Sequence, residues 1–215
     1  MSLVDSEKNY YRTLRSQYDN LVNLYNNILK SSEQLSLENK DITKAVLFRM
    51  KAYYNTQNNI KNFLNKRYSP AASDFFVETI IFYIKLIFEK YNLNYEVHSE
   101  RQIRQKRGSI RPDISIWKNN KVLYIIECKT QLGYNRHKWE EDFIERETKL
   151  RKEFPDAMAF LLIMTSKNWS GFSSDDKRVG KKYFTLSSKW PLSISEENID
   201  ETIVNPIEDL FKQIM

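Results

Sequence analysis

One cysteine in 215 residues, Cys128, leaves no internal disulfide to staple the fold and agrees with a reducing compartment, so a cytoplasmic location is expected. Histidine is almost as scarce. His98 and His137 are the only two, and neither has a partner at zinc-ligand spacing, which argues against a zinc site. No apolar run reaches the length that spans a bilayer, so no membrane association is expected. The stretch from Phe75 to Phe88 is broken by Glu78 and Lys85 and reads as a buried helix. The N-terminus also lacks the look of a signal peptide, because Asp5, Glu7 and Lys8 stand where an apolar core would be needed. Internal repeats and low-complexity tracts are missing as well.

What the chain does have is enough apolar material, 41% of residues, to build a proper core. Its length suits one domain with a modest extension. Charged residues are 29% of the chain and mixed in sign, but the balance is +6 with a sequence pI near 9.2. That excess favours a polyanionic partner through counterion release.

Apolar residues at helical spacing (Leu14, Tyr18, Leu21, Leu24, Tyr25, Ile28) predict a first helix. A polar break around Ser31 to Asn39 follows. Asp41 or Thr43 then stands where the cap of a second helix is expected, one carrying Val46, Leu47, Met50 and Tyr54. The Ser69-Pro70 step marks a boundary between a helical N-terminal region, residues 1–69, expected to contribute to DNA binding or dimerisation, and a second domain, residues 70–215. In the second domain a helix capped by Ser73 or Asp74 runs to about Tyr91. A short strand is expected at Asn94 to His98. Two strands, Pro112 to Lys118 and Lys121 to Lys129, are joined by a polar Lys118-Asn119-Asn120 turn as a hairpin. A helix from about Asn135 to Glu153 carries Trp139, Phe143 and Leu150 on one stripe, and Ala157 to Met164 reads as an interior strand. Lys182 to Leu186 is a further candidate strand and Pro206 to Ile214 a closing helix. The expected fold is α/β: a mixed central β-sheet flanked by helices, with a helical N-terminal extension.

The chemistry sits in Arg111-Pro112-Asp113-Ile114-Ser115-Ile116-Trp117 and, after the turn, Tyr124-Ile125-Ile126-Glu127-Cys128-Lys129. Side chains alternate along a strand, so Glu127 and Lys129 share a face that Cys128 does not. Antiparallel pairing brings Asp113, near the start of one strand, beside Glu127, near the end of the other. Two carboxylates about 4 Å apart repel by about 4 kcal/mol at an effective dielectric near 20. A divalent cation relieves that repulsion, and hard oxygen ligands favour Mg2+, with Mn2+ as a substitute. Lys129 has two available roles, orienting an attacking water or stabilising a pentavalent phosphorus. The second suits the charge that an ordinary lysine carries at neutral pH. Cys128 faces the buried side and behaves as a small hydrophobe rather than a nucleophile. The competing reading of Asp113, Glu127 and Lys129 is a plain salt-bridge network at a strand end.

Pro112-Asp113 followed by Glu127-Cys128-Lys129 resembles the PD-(D/E)xK nuclease superfamily, which includes many restriction endonucleases, and the helix-strand-strand-strand-helix-strand order from Pro70 to Met164 resembles its restriction endonuclease-like core. The resemblance implies a Mg2+-dependent endodeoxyribonuclease, most like a type II restriction enzyme. A repair, junction-resolving or mobile-element nuclease and a catalytically silent nucleic-acid-binding module are the alternatives. It further implies Asp113, Glu127 and the backbone carbonyl of Cys128 as metal ligands, and a helix acid best matched by Glu78, with Glu89 as its rival. The neighbours Phe75, Ile81 and Phe82 suggest an enclosed setting for Glu78. Gln131 follows the lysine at strand spacing and is a candidate assistant, although Asn135 stands where the RecB-like branch has a tyrosine. Double-stranded DNA is the expected substrate and a homodimer the expected assembly. For phosphate contact the basic connection offers Arg101, Arg104, Lys106, Arg107 and Arg111, and Arg136 and Lys138 open the helix after the second strand.

Overall fold

The computed structural model describes residues 2–31, 35–133, 138–169, 171–173 and 175–215. Helices α1 (Leu3–Lys30), α2 (Asp41–Phe63) and α3 (Ser73–Lys90) precede strands β1 (Glu96–Ser99), β2 (Ile114–Lys118) and β3 (Lys121–Lys129). Helix α4 (Trp139–Glu153) then crosses to β4 (Met158–Thr165), and β5 (Tyr183–Ser187), α5 (Ile199–Thr202) and α6 (Ile207–Gln213) complete the chain. The strands form one sheet in the order β1-β2-β3-β4-β5. The β1/β2 and β2/β3 pairs are antiparallel, and β3/β4 and β4/β5 are parallel. The architecture is therefore α/β with a five-stranded mixed sheet flanked by helices. Among the described residues no helix is long and apolar enough to cross a membrane.

Each sheet face buries its own set of side chains. Ile126, Cys128, Phe160, Leu162 and Phe184 pack into a cluster with residues of α2, α3 and α6. Ile125, Leu161 and Ile163 pack with Phe143 and Leu150 of α4. Val46, Leu47 and Met50 of α2 belong to the first cluster, so the core runs without interruption across residues 69 and 70. Helix α1 has no fully buried residue and joins this core only through partly buried side chains of its C-terminal half, Leu21, Tyr25, Ile28 and Leu29.

The helix starts differ from the sequence expectation. Asp41 and Thr43 lie inside α2, and its N-cap residue Lys40 makes no side-chain cap. The carboxylate of Glu208 in α6 does that job instead, accepting from the Ile42 and Thr43 N–H groups at 2.8 and 3.0 Å. Ser73 and Asp74 are likewise helical, and Ala72 takes the cap position of α3. A cap supplied across 165 residues of sequence leaves no local signal.

The β2–β3 hairpin turns through Asn119 and Asn120, both left-handed at φ 50° and 61°. That pair makes the two-residue turn whose twist matches antiparallel strands, and asparagine tolerates the conformation. Lys118 pairs with Lys121 and Trp117 with Val122, but Ile116 pairs with Tyr124, so Leu123 is an extra residue in β3. The bulge shifts the register by one for the remainder of the hairpin. Counting from the turn alone would set Asp113 against Ile126. With the bulge Ile114 pairs with Ile126, and Asp113 comes opposite Glu127.

Candidate active site

Asp113 lies one residue before β2, where the strand end is held from β1. The Asp113 carbonyl accepts from the Ser99 hydroxyl at 3.2 Å and from the Glu100 N–H at 3.4 Å. Its carboxylate Oδ2 accepts the Cys128 backbone N–H at 2.7 Å and lies 3.2 Å from Lys129 Nζ. Lys129 Nζ is also 3.8 Å from Glu127 Oε2, so one ammonium stands between the two acids. The hairpin thus brings Asp113, Glu127 and Lys129 together.

Glu127 is the buried member, with its side chain only 4% exposed. Desolvation pushes its carboxyl above the ordinary range, the Asp113 charge adds to that rise, and Arg146 and Lys129 oppose it. Arg146 reaches from α4 to donate Nη1–H to Glu127 Oε1 at 2.7 Å. Cys128 is buried on the opposite face, where loss of solvent drives its thiol well above the usual value. A buried neutral thiol is no nucleophile.

These residues fit a hexacoordinate dication better than a tetrahedral one. Among the described residues no three His, Cys, Asp or Glu side chains are grouped closely enough to enclose an ion by themselves. Mg2+ asks for less, because it keeps several waters and commonly takes one or two carboxylates together with substrate phosphate oxygens. Glu127 and Asp113 supply hard anionic oxygens whose mutual repulsion already raises the Glu127 carboxyl. The N–H and C=O of one strand residue leave from the same edge, so the Cys128 carbonyl shares the edge at which its N–H meets Asp113.

Two clefts meet at Lys129. One, of about 580 Å³, is bordered by Glu78, Glu100, Asp113, Lys129 and Gln131. The other, of about 630 Å³, lies toward α4 and is bordered by Arg111, Glu127, Lys129, Arg146 and Lys149. Glu78 is solvent-exposed rather than enclosed, which corrects the setting expected from its apolar neighbours. It nonetheless shares a cleft with Asp113. Glu89 lies three turns farther along α3, about 16 Å at 1.5 Å per residue, and its carboxylate accepts the Tyr25 hydroxyl at 2.5 Å. Gln131 borders both clefts, and its Oε1 accepts from Asn168 Nδ2 at 2.5 Å.

The basic connection divides into two groups. Arg101 packs its guanidinium over Trp117 at 4.0 Å and reaches Glu96 and His98. Arg104 and Lys106 both pair with Glu153 at the end of α4. These three cations fold back onto the protein. Arg107 and Arg111 are exposed, without an ion pair among the described residues, and only Arg111 borders the site. Helix α4 begins at Trp139, with Lys138 exposed at its cap position, while Arg136 falls outside the described residues. The first turn of α4 carries Glu140, Glu141 and Asp142, which already complement its dipole and disfavour a phosphate there.

Arg146 and Lys149 are the site residues the sequence reading missed. For Arg146 a signal existed. Trp139, Phe143, Arg146 and Leu150 follow the alternating four-and-three spacing of one helix face, so the arginine occupies a sheet-facing position of the apolar stripe. A cation there implies a buried acid opposite it. In comparisons with known proteins, no family model, curated sequence or solved structure matches this chain.

Proposed function

We propose that the chain is a Mg2+-dependent endodeoxyribonuclease that hydrolyses phosphodiester bonds in duplex DNA, most like a type II restriction enzyme of the PD-(D/E)xK superfamily. The supporting observation is the placement of Asp113 opposite Glu127, with Lys129 Nζ 3.2 Å from one carboxylate and 3.8 Å from the other where two open clefts meet. Each acid has a cation beside it, Lys129 at Asp113 and Arg146 at Glu127, yet both pairs converge on one strand end that opens on two clefts, with Glu127 almost fully buried and its carboxyl pushed up. A perturbed acid bordering a cleft favours a ligand-binding role over a plain structural network.

Asp113, Glu127 and the Cys128 carbonyl would hold the ion, whose chemistry is to acidify a bound water and offset charge building on the phosphate. Arg146 fixes Glu127 from behind, leaving Oε2 toward Lys129. Lys129 would donate from Nζ to a non-bridging phosphate oxygen as the water oxygen bonds to phosphorus and the ester P–O bond breaks. Glu78, exposed in the Asp113 cleft, would orient water there. Arg111 and Lys149, on the α4 side, would track the DNA backbone.

The test is incubation of supercoiled plasmid with Mg2+, comparing the native chain with Asp113→Ala. Discrete fragments from the native chain and none from the variant are expected; equal cleavage by both discredits the assignment. The division of the basic connection adds a second prediction. DNA affinity should fall with salt, and Arg111→Ala should lower the log–log salt slope by about one unit. Arg101→Ala should leave the slope unchanged, because that guanidinium is spent on Trp117 and Glu96. Filter binding or anisotropy across a salt series reads both, and equal slopes for the two variants would reject the division.

A further inference from the structure

Helix α1 carries one apolar seam that is covered at its C-terminal end and bare at its N-terminal end. Val4, Tyr11, Leu14, Tyr18, Leu21, Tyr25 and Ile28 fall at alternating three- and four-residue steps, with Glu7 completing the series. The last three of these pack against the core. Tyr25 meets the Phe82 ring edge-on at 5.6 Å and donates its hydroxyl to Glu89. The same seam then continues past the body of the protein with nothing packed on it among the described residues. Val4 is 66% exposed, Tyr11 49%, Leu14 47% and Tyr18 72%, and Leu3 and Tyr10, on the flank of this face, are also exposed.

The helix is nevertheless built to persist there. Ser2 and Asp5 form a reciprocal capping box, and Lys8 bridges to Asp5 at 2.6 Å. Caps and one surface ion pair do not offset an uncovered apolar stripe, and a helical segment of this length is marginal in water without tertiary burial. Exposed side chains on this face present on the order of 700 Å², more than the largest apolar patch of an ordinary monomer.

We propose that the N-terminal half of α1 pairs with the same segment of a second copy of this chain, the two helices running antiparallel. Two such faces would bury on the order of 1,400 Å², within the range of stable specific interfaces. A seam stepping by three and four is the pattern that a second helix of the same kind fills, with the large tyrosines as knobs. A nucleic acid does not suit this surface. Helix α1 holds four basic residues against three acidic ones, and the only charge on the seam itself is Glu7. Glu7 also sets the direction. In a parallel, in-register pair the two Glu7 carboxylates would face each other across the seam, a repulsion of several kcal/mol if desolvated. In the antiparallel pair each Glu7 lies against the partner's opposite half, which carries the Tyr18 hydroxyl and Arg15. Antiparallel pairing also separates the two bodies, since each packs on the C-terminal half of its own α1.

This inference is independent of the nuclease reading, and its test does not use cleavage. Sedimentation equilibrium of the full chain should show a reversible dimer. Leu14→Glu and Tyr18→Glu should each weaken dimerisation by about a hundredfold or more, with the thermal midpoint of the body unchanged, because Leu14 is 47% and Tyr18 72% exposed in the protomer, and with far-UV circular dichroism lowered by no more than the helicity of the N-terminal half of α1. A native chain that stays monomeric at high micromolar concentration, or a Leu14→Glu/Tyr18→Glu double variant that remains dimeric, overturns the proposal. Val4→Cys reads the direction: two copies cross-link through it readily only if the helices run parallel, so efficient disulfide formation overturns the antiparallel assignment.

Discussion

Replacing Lys129 with alanine is expected to lower Mg2+-dependent cleavage by about a thousandfold, the upper range for loss of one donor aimed at developing charge, while leaving the fold intact and Mg2+ binding as strong or stronger. The three outcomes share one cause. Lys129 is 44% exposed at the side chain and Glu127 keeps Arg146, so the fold survives its removal, with some loss of stability in the metal-free protein where the two carboxylates then repel. Its ammonium stands 3.2 Å from Asp113 and 3.8 Å from Glu127, where it neutralises the carboxylates before any ion arrives. A dication entering the same space is repelled by that ammonium, and alanine removes the repulsion. Asp113→Ala, by contrast, should lose both cleavage and the Mg2+-dependent rise in thermal midpoint, because the carboxylate proposed to hold the ion is gone. Lys129→Arg should not restore activity, since the planar guanidinium cannot place a compact charge between the two acids. The measurements are single-turnover cleavage rates and thermal midpoints with and without Mg2+. A Lys129→Ala chain that cuts at the native rate would reduce the lysine to an ordinary strand-end partner.

The architecture of this site was largely readable from the sequence, and its register was not. Alternation along β3 separates Cys128 from Glu127 and Lys129 without any structure, and the Asn-Asn turn marks the hairpin. Yet that turn, followed by uninterrupted pairing, sets Asp113 against Ile126 and directs its side chain to the wrong face. The extra residue at Leu123 restores the pairing with Glu127, and nothing about a leucine among Val122, Tyr124 and Ile125 announces a bulge. The division of the basic connection was not legible for a different reason. Charge counting treats Arg101, Arg104 and Lys106 like Arg111, but a guanidinium over Trp117 and two cations on Glu153 are settled by contacts distant in sequence. Arg146 is the intermediate case. Its place on the apolar stripe of α4 was visible, while its partner Glu127 required the sheet.

Loss of Glu208 should be the most damaging single change outside the site. Its carboxylate is 1% exposed and accepts three hydrogen bonds, from the Ile42 N–H at 2.8 Å, the Thr43 N–H at 3.0 Å and the Thr43 hydroxyl at 2.5 Å. The Thr43 hydroxyl in turn accepts the Ile207 N–H at 2.8 Å, so α2 and α6 cap one another across the fold. Glu208→Ala strands two buried amides and leaves the hydroxyl with one partner. At about 1–3 kcal/mol for each unsatisfied group the expected loss is about 3–5 kcal/mol, a large part of the stability of an ordinary domain. Glu208→Gln keeps an acceptor for both amides, and the Thr43 hydroxyl can rotate to accept from the new NH2 group. It should therefore cost only about 1 kcal/mol. Urea unfolding of the two variants separates the cap from mere volume, and a Glu208→Ala midpoint equal to that of Glu208→Gln would show that the buried amides find other partners. Helix α2 shares its core with α3, which borders the Asp113 cleft through Glu78. The alanine variant should therefore also loosen that wall of the site, reducing cleavage at temperatures where the native chain is still folded and the glutamine variant still active.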